Sequence, residues 1–132
     1  MGIIAQFGKL ASQVTPVKGD SFNEFWEGTN VPADVPTKVL TLAVPATPNT
    51  KSYFVTRLYV TGRDAYMVEL KKAGVTRWKG RGTIMVLDLN PTFEAGEVIG
   101  APGELLELFI THGYTQPLTF NGNVFGFMRK VG

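Results

Sequence analysis

Tyr53-Phe-Val-Thr-Arg-Leu-Tyr-Val-Thr-Gly62 is followed, after Arg63-Asp-Ala65, by Tyr66-Met-Val-Glu-Leu-Lys71. Both runs are rich in β-branched and aromatic residues, and both alternate. In the first, Phe54, Thr56, Leu58 and Val60 fall on one face, with Arg57 and Tyr59 on the other. In the second, Tyr66, Val68 and Leu70 face one way, with Glu69 and Lys71 opposite. A period of two means strands with one buried face. Thr61-Gly62-Arg63-Asp64 is a turn between them, and Lys72-Ala73-Gly74 is a second turn leading to a strand at Val75 to Trp78.

The same pattern holds from Thr37 onward. Val39 to Val44 reads as a strand that Pro45 and Pro48 end. Thr83 to Leu89 reads as another, stopped by Asn90-Pro91. Glu97 to Ile99 is a short candidate between Gly96 and Gly100. Glu104-Leu-Leu-Glu-Leu-Phe-Ile-Thr111 has a composition that a helix would accept. Leu106, Leu108 and Ile110 nevertheless alternate with Glu107 over a strand's length, and the segment is assigned as a strand. Leu118 to Phe120 and Val124 to Met128 flank Asn121-Gly122, a dipeptide that favours a type I′ hairpin turn. Seven or eight short strands with regular turn signals predict an all-β fold: an antiparallel β-sandwich, jelly-roll-like, over residues 37–132.

Residues 1–36 read differently, as an irregular N-terminal arm punctuated by Pro16, Pro32 and Pro36. Ile3, Ile4, Phe7, Leu10, Ala11 and Val14 fall near helical spacing. So short a helix is marginal alone in water and needs a surface to lie on. Phe22, Phe25 and Trp26 are large aromatics in a loop-like stretch, and they need somewhere to be buried. They either return to the domain's own core or dock on a neighbouring subunit. Ile3, Ile4, Phe7, Leu10, Phe22, Phe25 and Trp26 are the expected apolar anchors of an interface.

The chain has 132 residues, 44% of them apolar, which suits one domain with one core. Charged residues make up only 18%, below the ~25% of ordinary soluble domains. With no cysteine and one histidine, His112, disulfides, thiolate chemistry and Cys-based zinc sites are excluded. A lone histidine forms no triad or metal pair and reads as structural. Gly80-Arg81-Gly82 makes no phosphate cradle. No apolar run is long enough to span a bilayer. Met1 to Val14 does not have the form of a signal peptide, and Gln6 breaks a myristoylation pattern at Gly2. The expectation is a non-enzyme without metal or cofactor, of intracellular origin, with no membrane partner.

Charge is segregated along the chain. Lys71, Lys72, Arg77, Lys79 and Arg81 form a block with no acid inside it. Asp88, Glu94, Glu97, Glu104 and Glu107 follow, and no Lys or Arg lies between Gly82 and Met128. Such blocks can meet head to tail between copies, closing into a ring or trimer, or neutralise each other within one molecule. Arg77-Trp-Lys-Gly-Arg81 also mixes base-stacking and phosphate-binding chemistry. Val124-Phe-Gly-Phe-Met128 lacks the basic residue and the flanking elements of an RNA-recognition strand, so nucleic acid is the weaker expectation.

The stretches Tyr53 to Gly62, Ala65 to Lys71, Phe93-Glu-Ala-Gly-Glu-Val-Ile99 and Leu108-Phe-Ile-Thr-His112 resemble the small structural β-sandwich proteins of tailed-bacteriophage virions, the head-decoration and tail-associated class. The resemblance covers roughly Thr37 to Lys130 and carries no functional residue across. It implies a jelly-roll or related sandwich without catalytic residues. It also implies a homo-oligomer that attaches to other virion proteins of a capsid or tail, located in the virion and assembled in the host cytoplasm. Two competing expectations stand beside it. One is a carbohydrate- or receptor-binding module presenting Trp78, Tyr114 and Tyr59; the other is a single-stranded nucleic-acid binder using Arg77 to Arg81.

Overall fold

The computed structural model describes residues 20–94 and 97–130. Their strands are β1 (Asp20–Val31), β2 (Thr37–Ala43), β3 (Lys51–Thr61), β4 (Tyr66–Lys72), β5 (Val75–Gly82), β6 (Ile99–Gly100), β7 (Leu105–His112) and β8 (Leu118–Lys130). They form two antiparallel four-stranded sheets, ordered β1-β8-β3-β6 and β2-β7-β4-β5. The order has a simple origin. β4 pairs with β5, β3 with β6, β2 with β7 and β1 with β8. The chain is therefore one long hairpin with its tip at Ala73-Gly74, rolled so that alternate pairs fall in opposite sheets. This is a jelly roll, as the sequence predicts.

The core lies between the sheets. Val31, Leu58, Val60, Val68, Leu106, Leu108, Ile110, Phe120 and Val124 are all essentially excluded from solvent there. β4 and β7 keep the strict alternation expected of them, with Val68, Leu70, Leu106, Leu108 and Ile110 inward. β3 does not. A bulge between Val55 and Arg57 shifts its register against β8, and a bulge of one residue reverses the faces. Tyr53 and Val55 pack on the core before it, and Leu58 and Val60 after it. Phe54, expected beside Leu58, stacks instead on Phe127 at 4.8 Å on the outer face, with the Arg129 guanidinium over both rings.

Three expectations are corrected. Asp20 to Val31, read as part of an irregular arm, is a full strand at the edge of its sheet. Glu24 on its inner face and Phe25 on its outer face hide the alternation. The strand is made by backbone pairing along β8, from Asp20↔Met128 to Val31↔Leu118. Asn121-Gly122 is no turn, because Leu118 to Lys130 is continuous. Gly122 is required for another reason: a Cβ there would run into the Tyr59 carbonyl and reach 3.0 Å from the Trp26 ring. Thr83 to Leu89 is not a strand either. Thr83 and Val86 close a tight turn through paired backbone hydrogen bonds of 2.9 and 3.0 Å, and the chain then crosses to bridge Leu89 with Val60.

The β4–β5 turn holds Ala73 at φ 49° and Gly74 at φ 83°. This is the double positive φ of a two-residue hairpin loop whose twist matches the strands. An alanine in that region costs about 1 kcal/mol. Ala73→Asn, which tolerates the conformation, is expected to raise unfolding stability by about 0.5–1 kcal/mol in urea titration. Unchanged or lower stability would mean that this turn carries no strain.

Candidate interaction surfaces

Four connections leave one end of the sandwich: 32–36, 62–65, the turn after β5, and 113–117. A buried polar cluster ties them together. His112, at the end of β7, is 2% exposed, and its Nε2 lies 2.7 Å from the Val31 carbonyl of β1 in the opposite sheet. Its Nδ1 accepts from Tyr114 N at 3.2 Å, so Nε2 carries the proton and donates. The His112 carbonyl accepts from Asp34 N at 2.7 Å. The lone histidine is thus a clasp between loops, as its isolation in the sequence suggests.

Tyr66 does the same for the other flank. It pairs with both His112 and Gly82, and its hydroxyl donates to the Leu87 carbonyl at 2.6 Å. Its ring packs edge-on against Phe120 at 5.1 Å. Burial, with Asp88 and Tyr59 adding, holds the phenol well above its ordinary value. Tyr53 shifts the same way through burial and Glu24.

The expected arm anchors separate. Ile3, Ile4, Phe7 and Leu10 lie outside the described residues. Trp26 is 3% exposed and belongs to the core, so it is no interface anchor; its Nε1 has no hydrogen-bond partner among the described residues. Phe22 packs beside the core against Tyr53, with ring centroids 5.2 Å apart. Phe25, one position from Trp26 and therefore on the opposite face, is 63% exposed. Of the three aromatics it alone is a free surface feature.

The basic block also divides. Lys71 lies over the Phe109 ring at 4.7 Å, and Lys72 pairs with Glu104 at 3.7 Å. Arg77, Lys79 and Arg81 occupy every second position of β5, an edge strand, and all are exposed. None has an ion pair among the described residues. Trp78, between them, points the other way, its ring lying over Gly80 and edge-on to Phe93 at 5.9 Å. That ring is packed and offers no stacking platform beside the cations.

The acids are largely engaged within the same molecule. Glu107 accepts from Lys38 at 3.1 Å, and Asp88 accepts from Thr61 at 2.6 Å and Tyr59 at 3.2 Å. Glu94 and Glu97 close their own turn. The Trp78–Phe93 contact brings β5 and Phe93 together on one flank.

Two surfaces were not legible beforehand. The outer face of the β1-β8-β3 sheet carries a row Phe25–Asn123–Tyr59 beside a row Asn23–Phe125–Arg57. Asn123 donates to Asn23 at 2.9 Å, and the Arg57 guanidinium lies 4.1 Å over Phe125. At the loop end, Ile84, Met85 and Val86 are 77%, 89% and 58% exposed. Val35 and Tyr114 on neighbouring connections are exposed as well. The signal for the second surface is the apolar run Ile84-Met85-Val86 directly after Arg81-Gly82-Thr83, whose β-forming residues read as a strand.

Among the described residues, no group of His, Asp and Glu is placed to hold a metal ion, and no helix is long and apolar enough to cross a membrane. The class defined by the fold is the antiparallel jelly-roll sandwich. No family model and no curated protein matches the chain. Among solved structures it is similar to the insecticidal delta-endotoxin Cry8Ea1 from Bacillus thuringiensis, at 10% identity and a TM-score of 0.44. The alignment covers 86% of this chain and 20% of that one, so the chain spans about a fifth of that structure.

The Tyr66 phenol gives a pH prediction. Its folded pKa stands above the ordinary 10.0, so the folded chain keeps a proton that the unfolded chain releases. The linked stability is intact below about pH 10 and is lost as pH rises above it. Tyr66→Phe should cost about 1–2 kcal/mol at neutral pH by leaving the Leu87 carbonyl unpaired. It should also flatten the alkaline fall in stability, read by urea titration between about pH 9 and pH 11. Parallel curves for the two proteins would assign that fall to other groups.

Proposed function

We propose that this chain is a non-catalytic virion structural protein, a jelly roll that assembles with itself, trimers included, and binds a capsid or tail protein lattice. The observation that carries the reading is the cationic edge: Arg77, Lys79 and Arg81 project at alternate positions of β5 without ion pairs among the described residues. Outward charge keeps an edge strand from pairing indiscriminately. It also gives an acidic partner surface a register and a faster encounter. The low charged fraction of 18% agrees with a surface partly covered in its working state. Double-sheet jelly rolls build viral capsid domains and lectins alike, a fold-level analogy that carries no residue across.

Particles banded in a density gradient, from cells that express the chain during infection, provide the test. The chain should co-sediment with them at a fixed stoichiometry. Arg77→Glu together with Lys79→Glu should lower its occupancy at least tenfold without changing its circular dichroism. Wild-type chain found only in the soluble fraction would overturn the reading.

A second reading has its own observation. Phe25 is exposed on a strand beside Asn23, Asn121 and Asn123. An aromatic among amides suits the C–H face and hydroxyls of a sugar, which supports a carbohydrate- or receptor-binding module. Of the three aromatics expected for that role, Trp78 is packed inward, Tyr59 is tied to Asp88, and Tyr114 is exposed. On a glycan array this reading expects hits that Phe25→Ala removes. An array without hits, or hits that survive the substitution, would count against it.

A further inference from the structure

We infer that the self-association surface of this protein is the loop end of the sandwich, centred on Ile84 and Met85, and that its occupant is the same end of a second copy. The inference rests on the assembly part of the proposed function and names the surface that performs it.

The turn itself is the first argument. Thr83 and Val86 exchange two backbone hydrogen bonds, and Thr83 Oγ1 accepts from Val86 N at 3.1 Å. The tip is therefore a fixed feature that holds two large apolar side chains away from the domain. Hairpin-type tips ordinarily carry Gly, Asn or Asp. Here Ile84 is 77% and Met85 89% exposed, the highest values among the large hydrophobic residues described. Among the described residues, neither belongs to the core or packs against it. A contiguous apolar display of this kind marks an interaction site.

Position is the second argument. Gly62 of the β3–β4 turn lines a shallow groove with Ile84, Met85, Val86, Leu87 and Asp88. Tyr66 anchors this flank through Leu87, while His112 anchors the connections bearing Val35 and Tyr114. The same two buried residues thus support a tip and a groove at one end. An apolar tip that is itself one wall of a groove suits packing against the same end of a second copy.

Charge chooses the occupant. The exposed charges of this end are of both signs: Arg63 and Arg81 against Asp34, with Asp64 half-buried and Asp88 at the groove. An anionic lipid surface would select a rim of one sign. A mixed rim around an apolar centre is self-complementary, since each Arg can meet an Asp of the neighbouring copy. The apolar centre supplies the burial and the rim supplies the register.

The experiment is light scattering on a sizing column, with sedimentation velocity across a concentration series, for the full chain, Ile84→Asp/Met85→Glu, and Phe25→Ala. The wild type should form a discrete oligomer whose dissociation constant rises severalfold in about 1 M salt, where the Debye length falls to about 3 Å. The double variant should keep its circular dichroism and melting temperature and dissociate at least tenfold more readily. Phe25→Ala should assemble like the wild type. An oligomer unaffected by the double variant would overturn this surface while leaving assembly itself in place. A wild type that is monomeric at every concentration would overturn the inference, and the gradient experiment would then decide lattice binding separately. Binding of a monomeric wild type to phosphatidylserine-containing vesicles, lost in the double variant, would overturn it in favour of a lipid occupant.

Discussion

β8 has to lie between β1 and β3 with room for backbones on both sides. It pairs with β1 from Asp20 to Val31 and with β3 from Lys51 to Thr61. Its inner face alternates Phe120, Gly122, Val124 and Gly126. The two glycines leave the space that Tyr59, Phe54, Trp26 and Phe22 occupy. With side chains there the strand could not seat, and both its neighbours would lose their partner. Because β8 is the last and β1 the first of the described strands, closing this sheet requires contacts between segments far apart in the chain. Such contacts are entropically the most expensive, and they are rewarded only once the rest of the hairpin has rolled.

The loop end follows from that closure. The Val31 carbonyl meets His112 Nε2 only when β1 is seated on β8 and β2 on β7. Tyr66 reaches Leu87 only when the segment after β5 has crossed to β3. Two buried polar side chains convert the register of eight strands into the placement of four connections. Through Leu87, Tyr66 also holds the end of the apolar turn in place. The surface argued to act between copies is therefore a product of the core, although none of its exposed residues belongs to the core.

The polar surfaces show a related economy. Lys72 with Glu104, Lys38 with Glu107 and Asp88 with two hydroxyls are settled within one molecule. Pairs of this exposed kind contribute little stability each, but they leave Arg77, Lys79 and Arg81 as the concentrated positive feature of an edge. Lys72 of the basic block meets Glu104 of the acidic stretch within one copy. Strand pairing brings residues far apart in the chain to adjacent positions, and Phe93 packs on Trp78 of β5.

The sequence by itself determined the fold class, the strands β2 to β5 and β7, the turn at Ala73-Gly74, and the structural role of His112. In these the evidence is local: alternation, turn chemistry, and the lack of a second residue for chemistry. Only the tertiary structure decided that Asp20 to Val31 is a strand, that Asn121-Gly122 lies inside one, that the bulge at Thr56 reverses the face of Phe54, and that Ile84 to Val86 is an exposed turn. The physical reason is common to all of these. A strand without clean alternation exists because of its partner, and a glycine can be demanded by a turn or by a neighbour's backbone. An apolar run reads the same whether it is buried or displayed. Composition and spacing describe what a residue offers, and the register of β8 against β1 and β3 decides what each residue meets.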